Sequence, residues 1–164
     1  MIPYYKTDIS LLVRSDSDFA PKGPSDLCGK VVGAMKGTAF SAQVQEISEK
    51  RCVAQGKKAI TVREFETSPQ TTQALLAHAV DIQYDDAAVM KAAENNLKAK
   101  VKITSTEQFF PIVGGIGIRK GDTATYKLVE EGLNRIKASG EYAKILTAYG
   151  LKEPTAEDIA AVMK

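Results

Sequence analysis

Apolar residues follow two patterns along the chain. Short, mostly uninterrupted apolar runs predict β-strands at residues 8–14, 30–35, 59–65, 80–84 and 101–103. A further apolar stretch from Phe109 to Arg119 contains Pro111 and three glycines. Loops rich in Ser, Asp, Pro and Gly separate several of these runs.

Most segments between the predicted strands have features typical of helices, either apolar residues at helical spacing or helix-capping residues. Phe40, Val44 and Ile47 recur at i, i+4 and i+7, which predicts a helix over residues 39–51 that Gly56 then breaks. Ser68 followed by Pro69 predicts a second helix with Ser68 as its N-cap. Further helices are expected after Asp85 or Asp86, after Asp122 or Thr123, before Gly150, and from Thr155 to Met163.

This order of elements predicts the fold class. Strands that alternate with helices are typical of an α/β fold with a mainly parallel sheet. The chain has 164 residues, 44% of them apolar, so it is long enough for one domain of ordinary size, or one and a fraction. There is no internal repeat.

Charge and hydropathy exclude several classes of protein. The net charge is only +2, which argues against nucleic-acid binding. No apolar run approaches the length of a membrane span. The first residues do not show a basic segment followed by an apolar one, so no signal peptide is expected within this chain.

The cysteines and the histidine make a poor metal site. Cys28, Cys52 and His78 are far apart in sequence, whereas zinc needs three or four ligands at close spacing. A Cys/His nucleophile pair is equally disfavoured. The cysteines are either two separate buried thiols or one disulfide, and a disulfide would indicate an oxidising compartment. No metal and no cofactor are predicted.

Two polar segments lie where α/β sheets usually bind ligands, at the carboxyl ends of strands. Lys36 to Ala39 links a strand to a helix, so Gly37 permits a tight turn and the helix offers free N–H groups to an anion. Asp85 and Asp86 follow another strand and offer carboxylates to an ammonium group. An ordinary turn and a simple N-cap explain each segment alone, but together they have the polarity of an amino acid. The segment from Lys36 to Ala39 lacks the Gly-Lys-Ser/Thr of a P-loop. The glycines from Gly114 to Gly117 do not complete a dinucleotide-binding fingerprint.

Several segments resemble, in order, motifs of one family of binding proteins. Residues 3–14 (PYYKTDISLLVR) resemble "PYY.TG..LLVR", and residues 27–38 (LCGKVVGAMKGT) resemble "L.GK.VGV..GT". Residues 80–86 resemble "VDA...D", residues 116–122 resemble "GIAVRKGD", and residues 140–151 resemble "G.Y..I...YGL". The family comprises the extracytoplasmic solute-binding proteins of polar amino-acid ABC transporters, family 3, with the type II periplasmic-binding fold. Its members have two lobes that trap ligand by hinge closure.

The resemblance implies a ligand site and a disulfide. Asp86 matches the carboxylate that binds the ligand α-ammonium, and Asp85 is an occasional neighbour. Thr38 and the N–H of Ala39 match contacts to the α-carboxylate, and Met35 matches a contact to the ligand side chain. Some family members have cysteines at the positions of Cys28 and Cys52, which favours their pairing. The resemblance also implies a periplasmic location and an ABC permease as partner.

The chain departs from the family by starting at its first crossover strand. The aromatic residues and the carboxylate-clamping arginine of the first lobe are therefore missing, and neither Arg14 nor Arg119 matches that arginine. We expect residues 15–110 to form a complete second lobe. Residues 1–14 and 111–151 are expected to form hinge strands and a remnant of lobe one, and residues 152–164 a helical tail.

The expected remnant predicts self-association. Its apolar residues would have lost their sheet, and such a surface rarely stays exposed, so we expect a homodimer, with element exchange as one route to it. The residues concerned are Tyr126, Val129, Leu133, Ile136, Ile145 and Leu146.

The leading functional hypothesis is a truncated amino-acid-binding protein with half of a cleft, whose binding is weak or lost in the monomer. A self-associated interaction module without ligand is the alternative. Some members of this fold are cyclohexadienyl dehydratases. Here only Asp85, Asp86 and Glu64 could supply acid/base groups, and they have no partner from lobe one, so we do not expect an enzyme.

Overall fold

The computed structural model describes residues 1–106 and 110–162. Their strands are β1 (Ile2–Thr7), β2 (Ile9–Arg14), β3 (Val31–Met35), β4 (Thr61–Phe65), β5 (Ile82–Asp86), β6 (Val101–Ile103) and β7 (Ile112–Ile116). Their α-helices are α1 (Ala39–Ile47), α2 (Ser68–Leu76), α3 (Ala87–Asn96), α4 (Thr123–Ala138), α5 (Glu141–Ala148) and α6 (Ala156–Val162). The predicted ends at Phe109 and Met163 lie outside the described residues.

The chain forms two compact units. We call Ile9–Phe110 the sheet unit, and Met1–Asp8 with the chain from Pro111 onwards the ribbon unit. The sheet unit contains β2 to β6 and α1 to α3. None of the described helices is long and apolar enough to cross a bilayer.

The sheet unit is built on one five-stranded sheet in the order β4-β3-β5-β2-β6. Strand β3 pairs in parallel with β4 and with β5, whereas β2 pairs antiparallel with both β5 and β6. Four of the five strands therefore run in one direction, which confirms the predicted α/β class with a mainly parallel sheet. Strand β2 is the exception, and no local pattern in its apolar run could have predicted its direction.

A dense apolar core lies beneath α2 and α3. Each of its residues is at most 3% exposed, and at about 25 cal/mol per Å² such burial is the main source of stability. The cluster consists of Leu12, Leu75, Val80, Met90 and Val101.

The helical segment that continues α1 brings Cys52 close to Cys28. The predicted helix over residues 39–51 is an α-helix as far as Ile47, continues as a π-helix (Ser48–Cys52) and a 3₁₀ turn (Val53–Gln55), and ends at Gly56 with φ of 71°. This extension carries Cys52 back towards the start of β3. Cys28 and Cys52 are bonded with an S–S distance of 2.05 Å, which confirms the pairing that the resemblance implied.

Several predicted boundaries were wrong, including the start of β4, which lies at Thr61 and not at residue 59. The N-cap of α2 is Thr67 and not Ser68, because Gln70 completes a capping box in which each of the two residues accepts the other's backbone N–H. Strand β5 covers Ile82–Asp86 and not residues 80–84. It is shifted because pairing with β3 starts at Ile82 and pairing with β2 extends to Asp86.

The ribbon unit has far less buried surface. Its sheet is a two-stranded antiparallel ribbon of β1 and β7, and the apolar pattern did not predict β1. The ring of Tyr5 lies where a Cβ on Gly114 would stand, so the glycine permits close packing of the ribbon. The Tyr142 hydroxyl donates to the Tyr4 carbonyl at 2.6 Å.

Helix α4 has no buried residue, although its 16 residues carry a clear apolar stripe. Tyr126 is 39% and Ile145 46% exposed, as the sequence predicts for a face without a sheet. Leu146 was expected on that exposed face, but it is buried at 6% exposure. Val129, Leu133 and Ile136 are half-buried.

Candidate functional site

The candidate site lies at the edge of the sheet unit where β3, β4 and β5 end, which we call the carboxyl edge. Strands β3 and β5 are parallel neighbours, with Val32 opposite Ile82 and Gly33 opposite Gln83. Continuing this register by two residues places Met35 opposite Asp85. The two polar segments predicted from the sequence therefore emerge from adjacent strands at one edge.

The first segment forms a capped turn into α1. Gly37 has φ of 70°, a left-handed conformation that glycine adopts without strain. Thr38 is the N-cap, and its Oγ1 accepts the Phe40 N–H at 3.2 Å while donating to the Met35 carbonyl at 2.6 Å. Ala39 is exposed, and its N–H forms no hydrogen bond with the described residues. The helix thus begins with an open donor at the carboxyl edge, where its dipole favours an anion.

The second segment places two consecutive carboxylates in different surroundings. Asp86 is half-buried and caps α3, with Oδ1 accepting the N–H groups of Ala88 at 2.8 Å and Val89 at 3.3 Å. Its Oδ2 forms no hydrogen bond with any described residue. Because a carboxylate oxygen only accepts, this free oxygen is suited to an ammonium group.

Asp85 is 2% exposed, and both of its oxygens are engaged. Oδ1 accepts the Asp86 N–H at 2.8 Å, and Oδ2 lies 3.4 Å from the Gln83 amide nitrogen. Burial raises the pKa of the Asp85 carboxyl, and the neighbouring charge of Asp86 adds to this. Hydrogen bonds from Ser68, the Asp86 N–H and Gln83 oppose that rise in pKa.

A buried polar network that the sequence did not reveal supports Asp85. Gln83, fully buried, donates to the carbonyl and hydroxyl oxygens of Ser68 at 3.2 and 3.1 Å. The Thr72 hydroxyl donates to Gln83 Oε1 at 2.7 Å. The only available signal was a glutamine in an apolar strand, two residues before an aspartate, where alternation places both side chains on one face of the sheet.

The opposite face of β5 packs on α1. Tyr84 is fully buried, and its ring meets Phe40 edge-on with centroids 6.5 Å apart. Its hydroxyl donates to the Gln43 side chain at 3.2 Å. These contacts join α1 to β5, so the capped turn and the two aspartates belong to one packed structure.

One ion pair at this edge was not predicted from the sequence. Lys36, which follows β3, lies 3.2 Å from Glu66, which follows β4, and both side chains are more than half exposed. Arg14 is committed elsewhere, because its Nη1 donates to the carbonyls of Leu75 and Val80. The described residues contain no group of three side chains able to hold a metal ion.

The chain is similar in sequence to a family of solute-binding proteins and to two amino-acid-binding proteins. The model of the bacterial extracellular solute-binding proteins, family 3, matches residues 1–152. A probable histidine-binding protein of Neisseria gonorrhoeae is 33% identical over 93 residues, which are 56% of this chain and 35% of that protein. The glutamate-binding protein GluB of Corynebacterium efficiens is 24% identical over 149 residues, covering 88% of this chain and 48% of GluB.

A solved structure extends the likeness to the fold. A crystal structure of a mutant of ArgBP from T. maritima matches with a TM-score of 0.72 and 27% identity. The match covers 90% of this chain and 59% of ArgBP. The chain therefore spans less than two thirds of each of these three proteins.

Proposed function

The chain belongs to family 3 of the bacterial extracellular solute-binding proteins, and from this premise we propose that it binds an amino acid at the carboxyl edge of the sheet unit. The observation that carries the proposal is the free Oδ2 of Asp86 on the strand next to the capped turn at Thr38. An acceptor for the α-ammonium and donors for the α-carboxylate stand on adjacent strands. The ligand class is a polar or charged amino acid.

Each predicted residue has a role in this proposal. Asp86 accepts from the α-ammonium, and the N–H of Ala39 donates to the α-carboxylate. The Thr38 hydroxyl, whose proton is donated to the Met35 carbonyl in the free protein, turns that proton to the α-carboxylate when ligand binds. Met35, half-buried at the end of β3, contacts the ligand side chain. Asp85 is a neighbour of this site. Its burial and engaged oxygens favour support of Asp86 over direct contact with ligand.

Binding by this chain alone is expected to be weak. The groups named above contact one side of a ligand, and a single ionic hydrogen bond contributes only about 1.5–3 kcal/mol. The family supports an extracytoplasmic, periplasmic location, with delivery of ligand to an ABC permease. The relatives named above are binding proteins, and we propose no catalysis.

Self-association through the ribbon unit is part of this proposal. Leu128 is 70%, Tyr149 66% and Ile145 46% exposed, so a second copy would cover apolar surface that nothing in the described unit covers. Size-exclusion chromatography with light scattering tests this. A dimer mass that becomes a monomer mass in Leu128→Lys is the expected result, and a monomer at all concentrations would contradict it.

Thermal unfolding with millimolar amino acids tests the binding proposal. Stabilisation scales as RT ln(1 + [L]/Kd), so even weak sites give a measurable shift. L-arginine, L-lysine, L-histidine, L-glutamate and L-glutamine are the probes. We expect at least one to raise the melting temperature of the wild-type protein.

Asp86→Asn is the decisive variant, because asparagine caps helices as well as aspartate does but carries no charge. Its affinity should fall by about ten- to a hundredfold, in line with the loss of one ionic hydrogen bond. Asp16→Asn is the matched control, since its side chain is 74% exposed beyond the opposite end of β2. Full binding by Asp86→Asn would refute the site. No response to any probe in the wild-type protein would favour an interaction module without ligand.

A further inference from the structure

Asp85 and Asp86 are adjacent in sequence, but their carboxylates differ in exposure and in hydrogen bonding. Asp86 presents its free Oδ2 at the carboxyl edge, while Asp85 points into the sheet unit and is 2% exposed. A buried carboxylate is costly unless hydrogen bonds satisfy it. Here the partners are the Gln83 side chain and the backbone N–H of Asp86 itself, both on β5.

The hydrogen bonds form a chain that ends on Asp86. Thr72 donates to Gln83, and Gln83 donates both to Ser68 and to the Asp85 carboxylate. Asp85 Oδ1 then accepts the Asp86 N–H at 2.8 Å. Every step up to that N–H lies among side chains that are buried or belong to the first turns of α2, so the chain has a rigid base.

The side chain of Asp86 is also restrained, by helix α3. Asp86 Oδ1 accepts two N–H groups from the first turn of α3. With its backbone N–H held by Asp85 and Oδ1 held by α3, the remaining freedom of the Asp86 side chain is small, so Oδ2 keeps one direction. Such pre-organisation improves affinity because less conformational entropy is lost on binding.

We propose that Asp85 is a positioning residue, whose buried carboxylate fixes the backbone of Asp86 and thereby aims the free Oδ2 at the ammonium group of the ligand. This rests on the function proposed above. It assigns Asp85 no contact with ligand and extends the site inward by this one residue, while Thr72 contributes only to the stability of the fold beneath it.

Three variants separate positioning from simple stability. Asp85→Ala removes the acceptor for the Asp86 N–H. Asp85→Asn keeps an acceptor oxygen for the Asp86 N–H, while it removes the charge and the second acceptor oxygen, which faces Gln83. Thr72→Val is the matched control, because it removes a hydroxyl from the far end of the network at nearly constant shape and leaves the Asp85–Asp86 bond untouched.

Amide hydrogen exchange measured by NMR tests the geometry without any ligand. In Asp85→Ala, protection of the Asp86 amide should fall about tenfold more than protection of the other β5 amides, as expected for the loss of one hydrogen bond. Thr72→Val should lower the exchange protection of all the β5 amides by a similar factor. An Asp86 amide that follows its neighbours in Asp85→Ala would overturn the proposal.

The second test measures ligand affinity. The ligand is the amino acid that gives the wild-type protein its largest thermal stabilisation. Asp85→Ala should raise Kd about tenfold, Asp85→Asn by less than about threefold, and Thr72→Val should lower the melting temperature with Kd unchanged. If Thr72→Val raises Kd as much as Asp85→Ala, the effect is general destabilisation and the proposal fails. Undiminished binding by Asp86→Asn would refute the proposed site itself, which is a distinguishable outcome.

Discussion

The sheet unit and the ribbon unit use similar amphipathic helices to very different effect. Helices α2 and α3 cover a sheet and help bury a core whose members are at most 3% exposed. Helix α4 is longer and has an equally regular apolar stripe, yet none of its residues is buried. Periodicity therefore specifies which face of a helix is able to pack, whereas burial also requires a surface for it to pack against.

The largest expected difference comes from truncating a leucine in each unit. Leu12→Ala in the sheet unit removes a fully buried side chain from the core and should destabilise the protein by about 2–5 kcal/mol. Leu128→Ala in the ribbon unit removes a side chain that is 70% exposed in the single chain. At protein concentrations too low for the proposed dimer to form, it should change stability by less than about 0.5 kcal/mol. Urea unfolding followed by circular dichroism measures both. A large loss in Leu128→Ala would show that α4 packs on something in solution.

The disulfide should stabilise the sheet unit alone. It joins residues 24 apart in sequence, and replacing both cysteines by serine should cost about 2–4 kcal/mol. NMR spectra should then show faster exchange for amides of β3 and α1, with the ribbon unit unchanged. Equal losses of protection in the two units would contradict a stabilising effect confined to the sheet unit.

The smallest expected effect lies in the ribbon unit and depends on pH. Lys6 at 2.6 Å and two groups of Thr155 hold the pKa of Asp158 at about 2, below its ordinary value of 3.8. Because the pKa is lowered on folding, this contribution to stability is fully present above about pH 4 and is lost as the pH falls towards 2.

Asp158→Asn should abolish that part of the pH dependence. The measurement is the chemical shift of α6 and β1 amides between pH 5 and 2, with Glu157→Gln, an exposed neighbour on α6, as the control. An identical titration in Asp158→Asn would show that another group is responsible.

Local chemistry made much of the sheet unit predictable. Gly37, the N-cap at Thr38 and the cap at Asp86 depend on neighbouring residues, and the structure has each of these features. The α2 boundary was wrong because two possible caps, Thr67 and Ser68, stand side by side and only the capping box with Gln70 decides between them. The apolar pattern did not predict strand β1, because this strand depends on pairing with β7, which lies about a hundred residues away.

The candidate site was predictable only in part. The sequence placed Met35, Thr38, Ala39, Asp85 and Asp86 at strand ends, and the structure has all of them at the carboxyl edge. It could not reveal that Asp85 is buried and Asp86 is not. That difference depends on the alternation of β5 between the α1 face and the α2 face, and on Gln83 and Ser68 meeting across elements.

By itself the sequence determined the periods, caps, turns and cysteine positions, and from them the α/β class, because these features arise between residues close together in the chain. The tertiary structure alone decided the strand order, the reversed direction of β2 and the burial of Asp85. Those properties depend on which distant surfaces meet, since the free energy of burial and of buried hydrogen bonds is set by the partner as well as by the residue.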